Sequence, residues 1–429
     1  MAASEPGNGP GSFPPSRTFW LFLSQVLDER GCCREALRRF QAWLLAEEGK
    51  TISPGTAAYC KARAKLSPCE IKAASRRVVR KTEKACPWLW HGRRVMAVDG
   101  TGLSMPDTPA NQAAWPQTKK TKPGCGFPVM RLCALFSMAT GAMAGLAQGS
   151  LDVHERTLYR KLWRLLKKGD VLLGDRGFCA FADFFLLSQR GVDCVMRKNG
   201  RRKNARVIRR IGKNDQIVAW EKSGICPKWL ARKTWLALPE CISVREVKVS
   251  VPYRGFRTQT VFVVTTLLDP KQHPGSSLAD LYFRRWRIEL FFRDIKTTMG
   301  VDVLRCLTPK MILTELWMHV IAYNLVRAVM AEAALQQGAP LDRISFKGTL
   351  STLRQWACIM ARSTMDTRIR SDLFSHMLDC IARDKLPYRP GRTEPRARKR
   401  RPKNYQLLNK PRAQFKETPH RNRHKKPLS

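Results

Sequence analysis

The sequence predicts a mixed α/β protein whose central sheet carries acidic residues at one edge. Two short apolar segments each end in an aspartate, VMAVD at 95–99 and VLLGD at 171–175. A later segment, residues 282–300, lacks Pro and internal Gly and has the composition of a helix. The chain of 429 residues holds 78 Lys and Arg against 34 Asp and Glu, a formal net charge of +44. Acidic positions within a strongly basic chain predict a site that acts on a polyanion.

The N-terminal part of the chain is predicted to be helical after an unstructured start. Residues 1–16 are rich in Gly, Pro and Ser and lack the charged start of a signal peptide. The predicted helices, interrupted by Gly31, Gly49 and a Ser-Pro-Gly turn, cover residues 17–48, 55–66 and 69–84. The apolar runs at 19–23 and 132–147 are too short to span a bilayer, so we expect no membrane segment.

The first aspartate follows a segment that is typical of a buried strand. Four consecutive apolar residues precede Asp99 and predict a strand covered on both faces, with the carboxylate at its carboxyl end. Residues 129–136 and 142–149, separated by a turn that contains Gly141, predict a hairpin after this strand. An aspartate after one strand is by itself more typical of a turn than of a metal ligand.

The second aspartate repeats this pattern. A helix is predicted over residues 158–168, then a strand over 171–174 that ends at Asp175, a helix over 181–189 and a short strand over 194–196. The order strand, hairpin, helix, strand, helix, strand is that of a ribonuclease-H-like core. In such a core Asp99 and Asp175 end neighbouring central strands, which favours a joint function.

Residues 199–272 exceed what this core needs and are predicted to form a β-rich insertion. The alternating run at 244–251 and the apolar run at 260–264 are typical of strands. We interpret the tryptophans of the insertion as packing residues; the alternative is that one of them stacks on an unpaired base. They are Trp220, Trp229 and Trp235.

Residues 282–300 are predicted to form one helix with a polar stripe beside an apolar face. The side chains that fall within roughly 60° of one another, at about 100° per residue, are Tyr282, Arg285, Glu289 and Lys296. We expect the apolar face to enter the core and the stripe to face a cleft. The alternative is an ordinary salt-bridged helix in which Glu289 pairs with Arg285 or Arg293.

The spacing of this stripe, Y-x2-R-x3-E-x6-K, resembles the Y-R-E-K signature of the DDE transposases of bacterial insertion sequences, in the insertion-sequence-four (IS-four) family. The stretches DGT at 99–101 and DRGF at 175–178 are similar to the two upstream motifs of that family. A weaker likeness lies in Thr56, Tyr59 and Arg63, which resemble its T-x-x-Y-x-x-A-R region. The resemblance implies that this N-terminal helix reads the terminal inverted repeat in a helix-turn-helix manner, the alternative being an ordinary basic helical bundle.

The resemblance also implies roles for six residues. Asp99, Asp175 and Glu289 would be the catalytic carboxylates and metal ligands, with Asp99 bridging two Mg²⁺ ions, for which Mn²⁺ could substitute. Hard oxygen ligands suit Mg²⁺, which also takes ligands from a substrate phosphate. The residues implied to contact DNA are Tyr282, Arg285 and Lys296.

Charge and composition agree with a nucleic-acid enzyme. Residues 387–429 alone hold 15 Lys and Arg against 2 acids, so we expect a basic disordered tail that contacts phosphates. The expected partner is double-stranded DNA, both terminal inverted repeats and target DNA, with a homodimer in the synaptic complex. The 14 cysteines show no CxxC pair, so we expect reduced, mostly buried thiols in a bacterial, cytoplasmic and nucleoid-associated protein. The His420 and His424 pair lacks preceding cysteines, so we expect no zinc.

The sequence therefore predicts a ribonuclease-H-like catalytic core interrupted by a β-rich insertion, with an N-terminal helical DNA-binding domain. The expected function is cut-and-paste DNA transposition by metal-dependent strand cleavage and strand transfer. Two alternatives are a ribonuclease-H-like nuclease that cuts without joining and a catalytically silent DNA-binding repressor, which would typically have lost a carboxylate. The predicted divisions are 1–16 disordered, 17–92 DNA-binding, 93–198 first part of the core, 199–272 insertion, 273–385 last catalytic and C-terminal helices, and 386–429 tail.

Overall fold

The computed structural model describes residues 13–29, 31–86, 88–118, 126–200, 205–250, 260–362, 364–387 and 414. Most of the predicted unstructured start and of the predicted basic tail, including His420 and His424, lies outside these residues. Within the described ranges, no helix is both long enough and apolar enough to cross a membrane.

The N-terminal part is helical, as predicted. Its helices are α1 Pro15–Leu27, α2 Cys33–Glu48, α3 Ala57–Lys65 and α4 Pro68–Ala85. Gly31 and Gly49 have φ angles of 58° and 64°, which glycine adopts without strain, and they separate α1 from α2 and end α2. Residues 15 and 16, predicted to be disordered, belong to α1 because Pro15 provides a favourable first helical residue.

The predicted strand, hairpin, helix, strand, helix, strand order is confirmed. Its strands are β1 Val95–Ser104, β2 Val129–Ser137, β3 Met143–Gly149, β4 Val171–Gly174 and β5 Asp193–Arg197. Its helices are α5 Pro109–Ala114, α6 Glu155–Leu162 and α7 Phe181–Gln189, with a 3-10 turn at Trp163–Leu165. The prediction that the first strand ends at Asp99 is wrong, because β1 stays paired with antiparallel β2 as far as Ser104.

The predicted insertion is rich in β-structure but continues the same sheet. Its elements are β6 Arg206–Gly212, β7 Asp215–Glu221, α8 Arg232–Leu236, β8 Cys241–Ser250 and β9 Thr260–Thr265. Strand β9 pairs antiparallel with β5, so the nine strands of the described residues form one sheet in the order β3-β2-β1-β4-β5-β9-β8-β7-β6. The insertion therefore extends the core sheet at its β5 edge.

The C-terminal part is helical. Its helices are α9 Gly275–Arg284, α10 Arg287–Arg293, α11 Pro309–Gln336, α12 Phe346–Met360 and α13 Thr367–Arg383. The predicted helices over 309–336 and 345–361 are confirmed as α11 and α12. A π-helical segment, Asp294–Thr298, follows α10, and a 3-10 turn, Leu341–Arg343, follows α11.

Helices cover both faces of the sheet, which buries the central strands. Val95 and Ala97 of β1 belong to a hydrophobic cluster that includes Phe22 of α1 and Ile312 of α11. Met96, the residue between them, belongs to a second cluster on the other face, with residues of α6 and α7. The first cluster runs continuously from the N-terminal helices into the core, so α1 and α4 share its interior.

The expectation that most cysteines are buried is wrong. Among the described residues, only Cys133, Cys179 and Cys194 are buried, and all of the described cysteines are free thiols. Cys133 lies on β2 and Cys194 on β5, and Cys179 follows β4 in the chain. All three are buried because they belong to the hydrophobic cluster between the sheet and the helices α6 and α7.

Candidate active site

Two aspartates meet where the parallel pairing of β1 with β4 ends. Strands β1 and β4 pair in register, with Ala97 opposite Leu173. Asp99 and Asp175 each lie two residues further along, just beyond the last paired position. Asp99 is held in place because its Oδ1 accepts a hydrogen bond from the Gly100 backbone N–H at 2.8 Å. The predicted juxtaposition of the two aspartates therefore follows directly from strand pairing.

The third predicted carboxylate, Glu289, comes to this edge on α10. This helix packs against β1 through its buried residues Ile288 and Phe292, while Glu289 stays exposed. Its charge reaches Asp99, where it contributes to a raised pKa. The structure thus brings all three predicted carboxylates to one edge of the sheet.

The prediction of one continuous helix over 282–300 is wrong. Between α9 and α10 the Arg285 and Trp286 N–H groups donate to residues three positions earlier, Tyr282 and Phe283, so the chain tightens into a turn. In the π-helical segment Asp294–Thr298, hydrogen bonds then join residues five positions apart, one more than in an α-helix. Because of this turn and this π-helical segment, the side chains of residues 282–300 do not point in the directions that a regular helix with 3.6 residues per turn would give them.

This difference in direction changes the predicted polar stripe. Tyr282 and Arg285 are 4% and 8% exposed, so they lie beneath the surface and not on an open cleft wall. Glu289 is exposed and Lys296 is half-buried. The four residues therefore approach the site at different depths.

Arg285 faces Asp99 from below. Its Nη1 lies 3.8 Å from Asp99 Oδ2, and its guanidinium carbon lies 5.6 Å from the centre of the Tyr282 ring. Its Nε is buried without a hydrogen-bond partner among the described residues. Burial opposes the charge of Arg285, but attraction to Tyr282, Asp175 and Asp99 raises its pKa overall. Arg285 is thus a fixed positive charge with an unused donor at the acidic edge.

Lys296 borders the same site. Its Nζ donates a hydrogen bond to Thr101 Oγ1 at 3.2 Å and lies 2.8 Å from Asp302 Oδ1. Thr101 is two residues beyond Asp99 on β1, so the ammonium group lies at the rim of the acidic edge. In place of the alternative in which Glu289 pairs with Arg285 or Arg293, Arg285 faces Asp99 of β1 and Arg293 Nη2 lies 3.6 Å from Oδ1 of the neighbouring Asp294.

The electrostatics of Asp99 indicate a site that attracts cations. Burial raises the pKa of its carboxyl above the ordinary value, and repulsion from Asp175 and Glu289 raises it further. The Gly100 hydrogen bond and the Arg285 charge oppose these effects but do not cancel them. A cation between the carboxylates would relieve this repulsion.

A fourth carboxylate, Glu155, also belongs to this edge, and sequence reasoning missed it. The helix predicted over 158–168 begins earlier, and Glu155 is the first residue of α6. Asp99 and Asp175 both raise its pKa, after the larger effect of burial. The only signal in the sequence is that Glu155 lies in the first turn of the helix after β3. Acidic residues are common in the first turn of helices because they interact favourably with the helix dipole, so this signal is weak.

The donor set fits a hard divalent cation. Within the described ranges, no three Asp, Glu, His or Cys side chains converge closely enough to enclose one ion. Asp175 and Glu289 nevertheless raise the pKa of Asp99, and Asp99 and Asp175 raise that of Glu155, which places these carboxylates within electrostatic reach of one another. Oxygen ligands of this kind, completed by water and by substrate phosphate, are those that Mg²⁺ prefers, so a full protein cage is not required.

The tryptophans of the insertion have different surroundings. Trp220 and Trp235 are 1% and 6% exposed, but their rings lie 5.2 Å from Phe184 and 6.4 Å from Phe181 of α7. The interpretation that they pack a separate core of the insertion is therefore wrong, because the insertion shares its hydrophobic core with α7. Trp229 is 37% exposed, and the Arg160 guanidinium carbon lies 3.6 Å from the centre of its ring. It lines a cavity of about 650 Å³ together with Arg160, Lys228 and other polar residues.

The N-terminal residues predicted to read DNA point inward. Tyr59 and Arg63 are 0% and 8% exposed. Both donate to Gln25 Oε1, from the Tyr59 hydroxyl at 2.8 Å and from Arg63 Nη1 at 3.2 Å. These two side chains connect α3 to α1, so a direct contact between them and DNA bases is not supported. Their packing agrees with the alternative of an ordinary helical bundle.

Comparison with known proteins gives consistent relatives. The sequence model of the family described as "Transposase DDE domain" matches residues 90–325. The chain is 27% identical over 409 residues to "Transposase InsG for insertion sequence element IS4" from Escherichia coli (strain K12), covering 91% of this chain and 86% of the relative. It is 30% identical over 111 residues to "Probable transposase for insertion sequence element IS5377" from Geobacillus stearothermophilus, covering 26% and 28%. A solved piggyBac transposase synaptic complex with hairpin DNA aligns with a TM-score of 0.39 at 10% identity, covering 92% and 90% of the two chains.

Proposed function

This chain belongs to the transposase DDE family, whose model matches more than half of its length, and we propose that it performs cut-and-paste transposition of a bacterial insertion sequence. It is a DNA transposase, an enzyme that cleaves and transfers DNA strands. We further propose that strand cleavage and strand transfer both occur at terminal inverted repeats, within a homodimeric synaptic complex.

The sheet supports a ribonuclease-H-like core. In the order β3-β2-β1-β4-β5, the first three strands are antiparallel and β4 and β5 run parallel to β1. The connection from β3 to β4 passes through α6, and that from β4 to β5 passes through α7. This arrangement places the ends of the central strands at one open edge, where α/β proteins bind their substrates.

The observation that carries the proposal is the register of β1 and β4. It sets Asp99 and Asp175 side by side, and α10 adds Glu289 to the same edge. Burial raises the pKa of Asp99, and the charges of Asp175 and Glu289 raise it further, so a cation at this edge would be attracted to the carboxylates. Phosphodiester cleavage and joining need such a site, because the attacking and leaving oxygens both develop charge.

We assign the metal-binding role to these carboxylates. Asp99 of β1, Asp175 after β4 and Glu289 of α10 would hold the Mg²⁺ ions, for which Mn²⁺ would substitute. Bound there, the ions would supply Lewis-acid stabilisation of the phosphate oxygens. The protein's own contribution is to hold the carboxylates in register on a sheet buried on both faces.

The cations next to the carboxylates would bind DNA phosphates. Arg285 carries a buried, unpartnered Nε, and Lys296 lies at the rim beside Thr101. Both can donate to phosphate oxygens beside the scissile bond. Tyr282, packed beneath Arg285, would orient its guanidinium and donate from its hydroxyl.

The rest of the chain supports a DNA partner. A formal net charge of +44 favours binding to terminal repeats and to target DNA through counterion release. We assign the reading of the terminal repeat to exposed residues of the N-terminal helices, since Tyr59 and Arg63 are buried. We expect the enzyme in the bacterial cytoplasm, associated with the nucleoid.

The test replaces each carboxylate by its amide, with Asp99→Asn, Asp175→Asn and Glu289→Gln. Each variant should lower Mg²⁺-dependent cleavage of a terminal-repeat duplex by about 10³-fold or more, since losing a ligand costs several kcal/mol of transition-state stabilisation. DNA binding should persist. The matched control is Glu240→Gln, whose side chain is 87% exposed on the insertion and which should cleave normally.

The same assay separates the alternatives. Cleavage of the repeat without joining to a target duplex would identify a nuclease, and binding without cleavage by the unmodified chain would identify a repressor. Normal cleavage by any one of the three amide variants would remove that residue from the metal site.

A further inference from the structure

Gly100 leaves the space in which the Glu155 carboxylate lies. A Cβ added at position 100 would come within 1.4 Å of Glu155 Oε1 and 2.5 Å of its Cδ. The φ angle of Gly100 lies outside the left-handed region, so the backbone itself does not require a glycine there. The glycine next to Asp99 is therefore explained by the close approach of the Glu155 carboxylate.

The position of Glu155 is determined by a well-packed helix. Helix α6 packs against β2 and β3, and its residues Leu158 and Leu162 are buried. One turn after Glu155, the Arg160 guanidinium donates two hydrogen bonds to Asp183 of α7, at 2.8 and 3.0 Å. The packing of α6 therefore fixes the backbone position from which the Glu155 carboxylate projects.

The surroundings of Glu155 oppose its negative charge. Burial raises the pKa of its carboxyl, and Asp99 and Asp175 raise it further. Arg131 lowers it, but the Arg131 guanidinium also donates to the Val153 carbonyl oxygen at 2.7 Å. The Glu155 carboxylate therefore lies against the backbone of the residue next to Asp99, within electrostatic reach of both aspartates.

We propose that Glu155 is a fourth carboxylate of the active site and supplies an oxygen ligand to a divalent cation at Asp99. The inference rests on the proposed two-metal function and adds a residue to it. It gives α6 a direct role in catalysis, and it makes Gly100 a requirement for that role, because any larger residue would displace the carboxylate.

The test measures Mn²⁺ binding to the metal-free, full-length protein by calorimetry, with Mn²⁺ as the probe. Glu155→Gln keeps the size of the side chain and removes its charge, so it should weaken binding about 10-fold or more. Its melting temperature in EDTA should be equal to or above that of the wild type, since a repulsive charge is gone. Glu240→Gln, the exposed control, should bind Mn²⁺ as the wild type does.

A second variant tests the contact between Gly100 and Glu155. Gly100→Ala should weaken Mn²⁺ binding in the wild-type background, yet it should change nothing further when combined with Glu155→Ala. Additive losses would mean that the glycine acts independently of Glu155. A folded Glu155→Gln protein with wild-type Mn²⁺ affinity would overturn the proposal.

The outcome for Asp99→Asn distinguishes the two levels of inference. If Asp99→Asn loses Mn²⁺ binding while Glu155→Gln retains it, the proposed function stands and only the role of Glu155 fails. If both variants bind Mn²⁺ normally, the metal site lies elsewhere and both proposals fail.

Discussion

Arg285 and Asp99 face each other across the base of the acidic edge, with 3.8 Å between Arg285 Nη1 and Asp99 Oδ2. The pair is too long for a strong hydrogen bond, and Arg285 Nε has no partner among the described residues. With a cation bound at Asp99, as we propose, this geometry would leave the guanidinium available for a phosphate.

Replacing Arg285 should separate phosphate binding from metal binding. Arg285→Ala should slow cleavage about 10²- to 10³-fold, the usual effect of losing one donor to developing charge. Mn²⁺ affinity of the free protein should not weaken, because a cation beside the ligands has been removed. Arg285→Lys, which keeps the charge and loses the two-pronged donor, should recover part of the rate. Normal cleavage by Arg285→Ala with a much lower melting temperature would make the residue structural.

Lys296 should act on the DNA end and not on the fold. Lys296→Ala should weaken binding of a cleaved repeat end by about 10-fold, because a charge-assisted contact to phosphate is lost. Its matched control is Asp302→Asn, which breaks the 2.8 Å ion pair but keeps the cation. If both variants showed the same loss in end binding, the ion pair and not a phosphate contact would explain the effect. Fluorescence anisotropy with a labelled duplex measures both.

Asp294 should make stability depend on pH. Burial raises the pKa of its carboxyl from 3.8 to about 6, against the attraction of Arg327 and Arg293. The folded state therefore holds this proton to higher pH than the unfolded chain, so the free energy of unfolding falls as pH rises through this window. The contribution is on the order of 2 to 3 kcal/mol. Urea unfolding of Asp294→Asn should show a flatter profile between pH 4 and 7, and profiles parallel to the wild type would refute the assignment.

The basic tail should contribute affinity without specificity. Deleting residues 390–429, which lie almost entirely outside the described ranges, should reduce the slope of log affinity against log salt, because fewer counterions are released. The preference for terminal-repeat DNA over an unrelated duplex should survive the deletion. Competition binding at several salt concentrations measures both quantities. A loss of end preference would move sequence reading into the tail and away from the N-terminal helices.

Much of the active site could be predicted from local patterns. Four apolar residues before Asp99 and four before Asp175 predict strands buried on both faces, and burial on both faces is what the two hydrophobic clusters show. The order of elements then brings two strand ends to one edge, and the spacing around Glu289 supplies a third carboxylate. These features are local in sequence, so periodicity, residue type and the resemblance of the spacing were sufficient to propose them as site residues.

The depth and partners of the side chains required the folded chain. The turn at Arg285 and the π-helical segment after α10 interrupt a pattern that a uniform helical period describes as continuous, and they place Tyr282 and Arg285 below the surface. Tyr59 points toward Gln25 because α1 packs against α3. Such contacts depend on where distant elements pack.

Glu155 shows most clearly the difference between what local sequence patterns predict and what only the folded chain decides. The sequence alone determined the basic character of the chain, the order of its elements and the two aspartates that follow apolar strand segments, since each is encoded within a few consecutive residues or in composition. Nothing within ten residues of Glu155 indicates that its carboxylate lies against Gly100, because that contact arises only when β1, β2 and β3 pair and α6 packs on them. Long-range strand pairing decided which acidic residues lie close together, and local patterns cannot encode distances between segments that are far apart in the chain.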